Sequence, residues 1–125
     1  MATILVVDDD PRLVQYVSKH LGSRNHKCIS DMTGKKVFDI LSKQQVDLII
    51  LDIMIPDCSG FEICRKIRTQ SEYFGLPVLF LSSMNGAEEI QHGLAQGADD
   101  YLGKPFQIEM LIRRVDMLLA QNPKN

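Results

Sequence analysis

Side chains that could do chemistry follow three apolar runs and one weaker strand candidate of this sequence, at the point where each ends. Asp8 and Asp9 follow the first run and Asp52 follows the second, whereas Ser82 and Lys104 follow the other two. The runs span residues 4–7, 48–51 and 78–81, and the weaker candidate spans residues 100–103. Three carboxylates, a hydroxyl group and an ammonium group could together hold a hard cation and a phosphoryl group.

Oxygen ligands without histidine or cysteine favour Mg²⁺, because that ion keeps water molecules and accepts phosphate oxygens. Carboxylates that lie close together repel one another, and a bound cation relieves that repulsion. The Lys104 ammonium group would face one phosphoryl oxygen, and the Ser82 hydroxyl could donate to another. An aspartate can also act as a nucleophile and become an aspartyl phosphate. Each residue alone could be a turn former, a cap or a solvated lysine, so the prediction depends on the whole set.

Parallel strands are expected to position these groups, because the apolar runs are short and continuous. A strand that is apolar on both faces is typical of a parallel sheet covered by helices on both sides. Residues 27–32 form a further, weaker strand candidate. Apolar stripes with helical spacing fill the intervals, and the fourth stripe comprises Ala87, Ile90 and Leu94. Alternating strands and helices predict an α/β sandwich whose ligands bind at the carboxyl ends of the strands.

Capping residues indicate where the helices begin and end. Asp10 is followed by a proline and is predicted to cap the first helix rather than to bind a metal. Ser59 and Asn85 each stand three residues before a glutamate, which is the spacing of a capping box. Gly22 and Gly97 fall where helices should stop.

Composition favours one globular domain. The chain has 125 residues, a formal net charge of −2 and 45% hydrophobic residues, which excludes bulk disorder. This charge gives no electrostatic reason to bind nucleic acid or a membrane surface, and no apolar stretch approaches about 20 residues. Three cysteines without a CxxC pair argue against a disulfide framework and favour a reducing cytoplasm.

The motifs together resemble the receiver domain of two-component response regulators over essentially the whole chain. The matching segments are residues 5–10, Asp52 with Pro56 and Gly60, residues 81–83 and residues 97–106. The resemblance implies a flavodoxin-like α/β fold, a three-layer αβα sandwich of five helices and a five-stranded parallel sheet in the order 2-1-3-4-5. We therefore expect the receiver domain to occupy residues 1–121 and residues 122–125 to be a C-terminal tail or the start of a linker.

The resemblance also implies a role for each residue of the acidic site. Asp52 corresponds to the phosphoacceptor and a metal ligand, Asp9 to a direct Mg²⁺ ligand, and Asp8 to an acid that acts mostly through water. The backbone carbonyl of Met54 would complete the metal site, in which Mn²⁺ could replace Mg²⁺. Lys104 would hold the phosphoryl group, and its bond to the following proline resembles the family's cis peptide.

The implied function is to accept a phosphoryl group from the phosphohistidine of a sensor histidine kinase or a phosphotransfer protein. Ser82 takes the position of the switch hydroxyl and Tyr101 that of the switch aromatic. Ser82 would move toward the phosphate, Tyr101 would move inward, and the surface of the fourth helix, fifth strand and fifth helix would change. That surface would control a downstream effector or a fused output domain. We expect a cytoplasmic signalling domain rather than an enzyme, present as a monomer or a weak phosphorylation-dependent homodimer.

Three positions depart from the family pattern or refine it. Ile90 stands where a basic residue is expected in receivers attached to winged-helix DNA-binding domains, which weakens the expectation of that subfamily's dimer. Met54 and Met84 flank the site where members that lose phosphate quickly often have polar groups. Because apolar side chains orient an attacking water poorly, we predict a comparatively long-lived phosphate on Asp52.

Two other functions remain open at this level. A phosphatase of the haloacid-dehalogenase type also uses an aspartate nucleophile, and Asp8 and Asp10 have its Asp-x-Asp spacing, but Arg12 is atypical and Asp52 would be unexplained. A non-phosphorylated interaction module with the same fold would normally lack one of the acids or the lysine. Turnover on phosphate esters separates the first alternative from a receiver, which labels itself once.

Overall fold

Seven strands and five helices build the computed structural model, which describes residues 1–121. The strands are β1 (Thr3–Val7), β2 (Lys27–Asp31), β3 (Leu48–Leu51), β4 (Met54–Ile55), β5 (Cys58–Ser59), β6 (Val78–Ser82) and β7 (Asp100–Gly103). The predicted tail at residues 122–125 lies outside the described residues.

Five of the strands form one parallel sheet, in the order β2-β1-β3-β6-β7. Counted among the parallel strands alone, this is the predicted order 2-1-3-4-5. The other two strands, β4 and β5, form a small antiparallel sheet of their own, which we did not predict. Val7 of β1 pairs with Leu51 of β3, so the residues that follow these two strands emerge side by side at the carboxyl edge.

The helices cover both faces of the sheet and confirm the three-layer sandwich. They are α1 (Pro11–Gly22), α2 (Val37–Lys43), α3 (Gly60–Thr69), α4 (Ala87–Ala95) and α5 (Ile108–Gln121). One apolar core lies between the sheet and α1 and α5, and a second lies between the sheet and α2 and α3. Strands β1, β3 and β6 contribute to both cores, which explains why their apolar runs are continuous rather than alternating. No helix within residues 1–121 is both long and apolar enough to cross a membrane.

Two of the three predicted helix caps are confirmed. The Asp10 carboxylate accepts hydrogen bonds from the backbone of Arg12 and Leu13, and the Ser59 hydroxyl accepts one from Phe61. Asn85 is not a cap, because α4 begins one residue later, after Gly86, and its cap makes no side-chain hydrogen bond. The Asn85 amide donates instead to a carbonyl of a distant loop, as described below.

The predicted apolar stripe on α4 is wrong in two of its three residues. Ala87 is exposed and Leu94 is 43% exposed, whereas Ile90 is partly buried against the core. The residue of α4 that is buried is Gly93, where an added Cβ would lie 2.9 Å from the Tyr101 ring. The helix approaches the ring too closely for a larger side chain, so the buried position is occupied by a glycine that the apolar stripe does not include.

Candidate functional site

Three acidic side chains meet at the carboxyl edge of the sheet, where β1 and β3 end. One carboxylate oxygen from each of Asp8, Asp9 and Asp52 lies within 4.8 Å of the others. Asp8 and Asp52 are buried, with 2% and 7% of their surface exposed, and Asp9 is exposed. The three acids therefore form a cluster with one side open to solvent.

Lys104 supplies the positive charge of the cluster. Its Nζ atom donates to Asp8 Oδ2 at 2.8 Å and to Asp52 Oδ2 at 3.3 Å, so it bridges the two buried carboxylates. Burial alone would lower the pKa of Lys104, but the hydrogen bond and charge of Asp8, with those of Asp52, outweigh it and raise this pKa. The ammonium group bonds two of the three carboxylates of the cluster, so the acids outnumber the positive charge that contacts them.

Burial disfavours the ionised form of Asp8. Removal from water raises its pKa, and the charge of Asp52 adds to that effect. The hydrogen bonds from Lys104 and from the Asp10 backbone, the latter at 3.0 Å to Asp8 Oδ1, oppose it. A cation bound among these carboxylates would favour their ionised forms.

The backbone around Asp52 is fixed by close contacts. Its amide donates to the Val7 carbonyl at 2.9 Å, and its own Oδ1 accepts from the Ile53 amide at 2.7 Å. Helix α3 begins against this turn, since a Cβ added at Gly60 would lie only 2.2 Å from the Asp52 carbonyl oxygen. Asp52 Oδ2 is thereby directed at Lys104, on the same side as Asp8.

Ser82 and Tyr101 lie beside the cluster and are linked through one residue. The Ser82 hydroxyl, which is 1% exposed, accepts from the Met84 amide at 3.2 Å. The Tyr101 hydroxyl donates to the Met84 carbonyl, and its ring packs against Phe80 with 5.7 Å between centroids. Tyr101 is 6% exposed, so it occupies the inward position in this structure, and burial raises its pKa.

The two methionines predicted to flank the site differ in exposure. Met54, in β4 two residues after Asp52, is 66% exposed, and Met84 is half-buried against the second core. The metal-binding role of the Met54 carbonyl stays a prediction, as do the roles of the other site residues.

Sequence reasoning missed the residues that hold the site together through backbone contacts. In the sequence Gly60 is only one residue of a matching motif, whereas the structure shows that its lack of a side chain lets α3 approach Asp52 closely. Asn85 has the spacing of a helix cap, but its Nδ2 donates to the Lys104 carbonyl at 3.0 Å. Such contacts depend on how closely the backbones approach in the folded chain, and residue spacing alone gives no signal for that.

The donor set fits a magnesium ion. Three carboxylates within 4.8 Å of one another offer oxygen ligands alone, and the exposed Asp9 leaves room for water on the ion. Asp52, Asp9 and Asp8 are the residues that would hold it, and the excess negative charge of the cluster would be neutralised.

Comparison with known proteins agrees with this geometry. The sequence model described as the response regulator receiver domain matches residues 4–116. The chain is 34% identical over 121 residues to the heme response regulator HssR of Staphylococcus saprophyticus and 32% identical to that of Staphylococcus aureus. These alignments cover 97% of this chain and 53% of each relative, so the chain spans about half the length of the curated relatives it matches.

Solved structures give the same result for the fold. The BeF3-activated receiver domain of Klebsiella pneumoniae RstA superposes with a TM-score of 0.87 at 28% identity, covering 95% of this chain and 99% of that one. The receiver domain of a Francisella response regulator superposes with a TM-score of 0.90 at 30% identity, covering 97% and 98%.

Proposed function

Because this chain belongs to the response regulator receiver domain family, we propose that Asp52 accepts a phosphoryl group from a phosphohistidine. The donor would be a sensor histidine kinase or a phosphotransfer protein. Receiver domains are signalling domains rather than classical enzymes, so the expected product is a single aspartyl phosphate on the protein itself.

The bridging position of Lys104 carries this proposal. Its Nζ atom donates to both Asp52 and Asp8, so it lies beside the carboxylate that would receive the phosphoryl group. A phosphoryl group that reaches Asp52 would bring one oxygen to this ammonium group, which binds it as a point charge.

The transfer uses groups whose geometry is already set. A carboxylate oxygen of Asp52 attacks phosphorus in line, and the bond from phosphorus to the donor's imidazole nitrogen breaks, with its electron pair left on that nitrogen. The Ile53 amide holds the other carboxylate oxygen at 2.7 Å and fixes the direction of attack. When bound, Mg²⁺ or Mn²⁺ would neutralise charge on the phosphoryl oxygens. Asp8, Asp9, Asp52 and the Met54 carbonyl are the proposed ligands.

The switch would start at Ser82 and Met84. A phosphoryl oxygen on Asp52 would accept a hydrogen bond from the Ser82 hydroxyl, which now accepts one from the Met84 amide. The Met84 carbonyl is bonded to Tyr101, so movement of Ser82 is transmitted to the ring and to the surface of α4, β7 and α5. Tyr101 lies inward here, and the proposed change is a shift in the population of that position.

The downstream partner is proposed from the length of the relatives. Since they are about twice as long as this chain, an attached output domain or a separate effector would use the α4-β7-α5 surface. Ile90, which is partly buried on α4, stands where receivers attached to winged-helix domains are expected to have a basic residue. For this reason we expect a monomer or a weak phosphorylation-dependent homodimer rather than that subfamily's dimer. We propose a cytoplasmic protein whose receiver binds neither nucleic acid nor membrane directly.

Metal dependence tests this proposal. The protein is incubated with acetyl phosphate in Mg²⁺ or in EDTA, and the phosphoryl adduct is followed by intact-mass spectrometry. We expect a single adduct that requires Mg²⁺ and forms much more slowly in Asp9→Asn. Equal labelling in EDTA would overturn the metal site. Repeated turnover of a phosphate ester would favour the phosphatase alternative instead.

A further inference from the structure

Asn85 is placed to hold the lysine of the site through its backbone. The residue lies in the loop between β6 and α4, and its side-chain Nδ2 donates to the Lys104 carbonyl at 3.0 Å. The Lys104 amide donates to the Ser82 carbonyl at 2.9 Å. Both polar backbone groups of Lys104 are therefore bonded to the short segment 82–85.

Gly103 is matched to the Asn85 side chain. A Cβ added at Gly103 would lie 2.7 Å from Asn85 Cβ and 2.8 Å from its Nδ2, closer than real Cβ contacts. A glycine before Lys104 is therefore required for the amide to reach the carbonyl. The backbone of β7 and the Asn85 side chain fit each other as a pair.

The same loop is hydrogen-bonded to the two residues of the proposed switch, Ser82 and Tyr101. Met84, the residue before Asn85, donates to the Ser82 hydroxyl and accepts from Tyr101. Asn85 adds Lys104 to this set, because it connects the loop to the residue whose Nζ bridges Asp8 and Asp52. A displacement of the loop would therefore affect both the Ser82 hydroxyl and the backbone of Lys104.

We propose that Asn85 is a positioning residue that couples the β6–α4 loop to Lys104. It fixes the Lys104 backbone so that the ammonium group stays between the two buried carboxylates, ready for a phosphoryl oxygen. The inference deepens the proposed function and depends on it for its kinetic test. Asn85 itself touches none of the reacting atoms.

Three variants separate positioning from general stability. Asn85→Asp keeps the shape of the side chain but removes the amide donor. Gly103→Ala keeps the donor and pushes it away from the carbonyl. Gln107→Glu is the matched control, because Gln107 is exposed just after the same turn and its substitution adds the same charge.

The first measurement is the rate of labelling by acetyl phosphate with Mg²⁺, followed by mass spectrometry beside the thermal unfolding midpoint. Loss of one hydrogen bond at an exposed site predicts labelling about three- to tenfold slower in Asn85→Asp and in Gly103→Ala. Gln107→Glu should stay within about twofold of the parent protein. Parent rates in both variants, or slowing that the control reproduces, would overturn the proposal.

The second measurement does not require phosphorylation. Heteronuclear NMR of the isotope-enriched, unphosphorylated protein should show a Lys104 ammonium signal that is protected from exchange with water. This signal should broaden in Asn85→Asp and Gly103→Ala but not in Gln107→Glu. An unchanged signal in both variants would overturn the coupling. If the parent protein is never labelled, the proposed function fails, and the ammonium signal still decides the role of Asn85.

Discussion

Replacement of Gly60 by alanine should destabilise the fold and disturb the phosphoacceptor at the same time. The new Cβ would lie 2.2 Å from the Asp52 carbonyl oxygen and 2.9 Å from the Ile53 Cα. Both neighbours are backbone atoms, which cannot rotate out of the way as a flexible side chain can. The start of α3 would have to retreat by about 1.2 Å to restore ordinary van der Waals contact.

The expected cost follows from these contacts. Overpacking of this kind costs about 1–3 kcal/mol. The hydrogen bond from the Gly60 amide to the Ile53 carbonyl, now 2.8 Å long, would be weakened or lost, at about 0.5–1.5 kcal/mol. The better helix propensity of alanine offsets up to about 1 kcal/mol. We expect a net loss of about 2–3 kcal/mol, a large part of the roughly 5–15 kcal/mol that stabilises a typical domain.

Urea unfolding monitored by circular dichroism measures this loss. Gly22→Ala is the control, because no atom lies within 4 Å of the Cβ it would add at the end of α1. That variant should be unchanged or slightly stabilised, by less than about 1 kcal/mol. Gly60→Ala should also be labelled more slowly by acetyl phosphate, since the Asp52 backbone must shift. A Gly60→Ala protein within about 0.5 kcal/mol of the parent would refute the close approach of α3 to Asp52.

Three further predictions concern pH, a partly buried guanidinium and the lifetime of the phosphate. The Ala2 amide donates to His26 Nδ1 at 3.1 Å, and burial, helped by the positive N-terminus, lowers the pKa of His26 below its usual 6.5. The unfolded chain therefore binds a proton at His26 more readily than the folded protein does, so the free energy of unfolding should fall as the pH drops below about 6.5. Thermal unfolding should show this fall in the parent protein and not in His26→Gln. Arg68 donates to three backbone carbonyls and to a carboxylate, so Arg68→Met should cost about 2–4 kcal/mol in urea unfolding. The exposed Arg65→Met should cost under about 0.5 kcal/mol, and equal costs would contradict a stabilising role for the Arg68 hydrogen bonds. The phosphate on Asp52 should decay slowly in purified protein, and a half-life of seconds by mass spectrometry would contradict a stabilising effect of the flanking methionines.

The sheet was predictable because its three central strands, β1, β3 and β6, are buried on both faces. A run such as Leu48–Leu51 has the same apolar character toward both cores, and only a parallel sheet between helices offers such surroundings. The resemblance then supplied the strand order. The convergence of Asp8, Asp52 and Lys104 followed from the rule that ligands bind at the carboxyl edge of such a sheet.

The contacts that the sequence does not predict depend on how closely the backbones of neighbouring elements approach each other. Gly93 faces the Tyr101 ring because α4 packs too closely for a larger residue, so the apolar periodicity of α4 was misleading. Asn85 has the spacing of a cap, but the turn of β7 at Gly103 offers its amide a carbonyl acceptor instead. Neither contact can be inferred before the elements are placed, because both depend on how closely two different elements approach each other.

Intact-mass spectrometry after incubation with acetyl phosphate and Mg²⁺ tests the central claim most directly. The parent protein should gain one phosphoryl group, and Asp52→Asn should gain none. Asp57→Asn, which changes a neighbouring acid that forms an ion pair with Lys35, should be labelled like the parent. A parent protein that gains no phosphoryl group, or an adduct that survives in Asp52→Asn, would contradict the assignment of Asp52 as the phosphoacceptor.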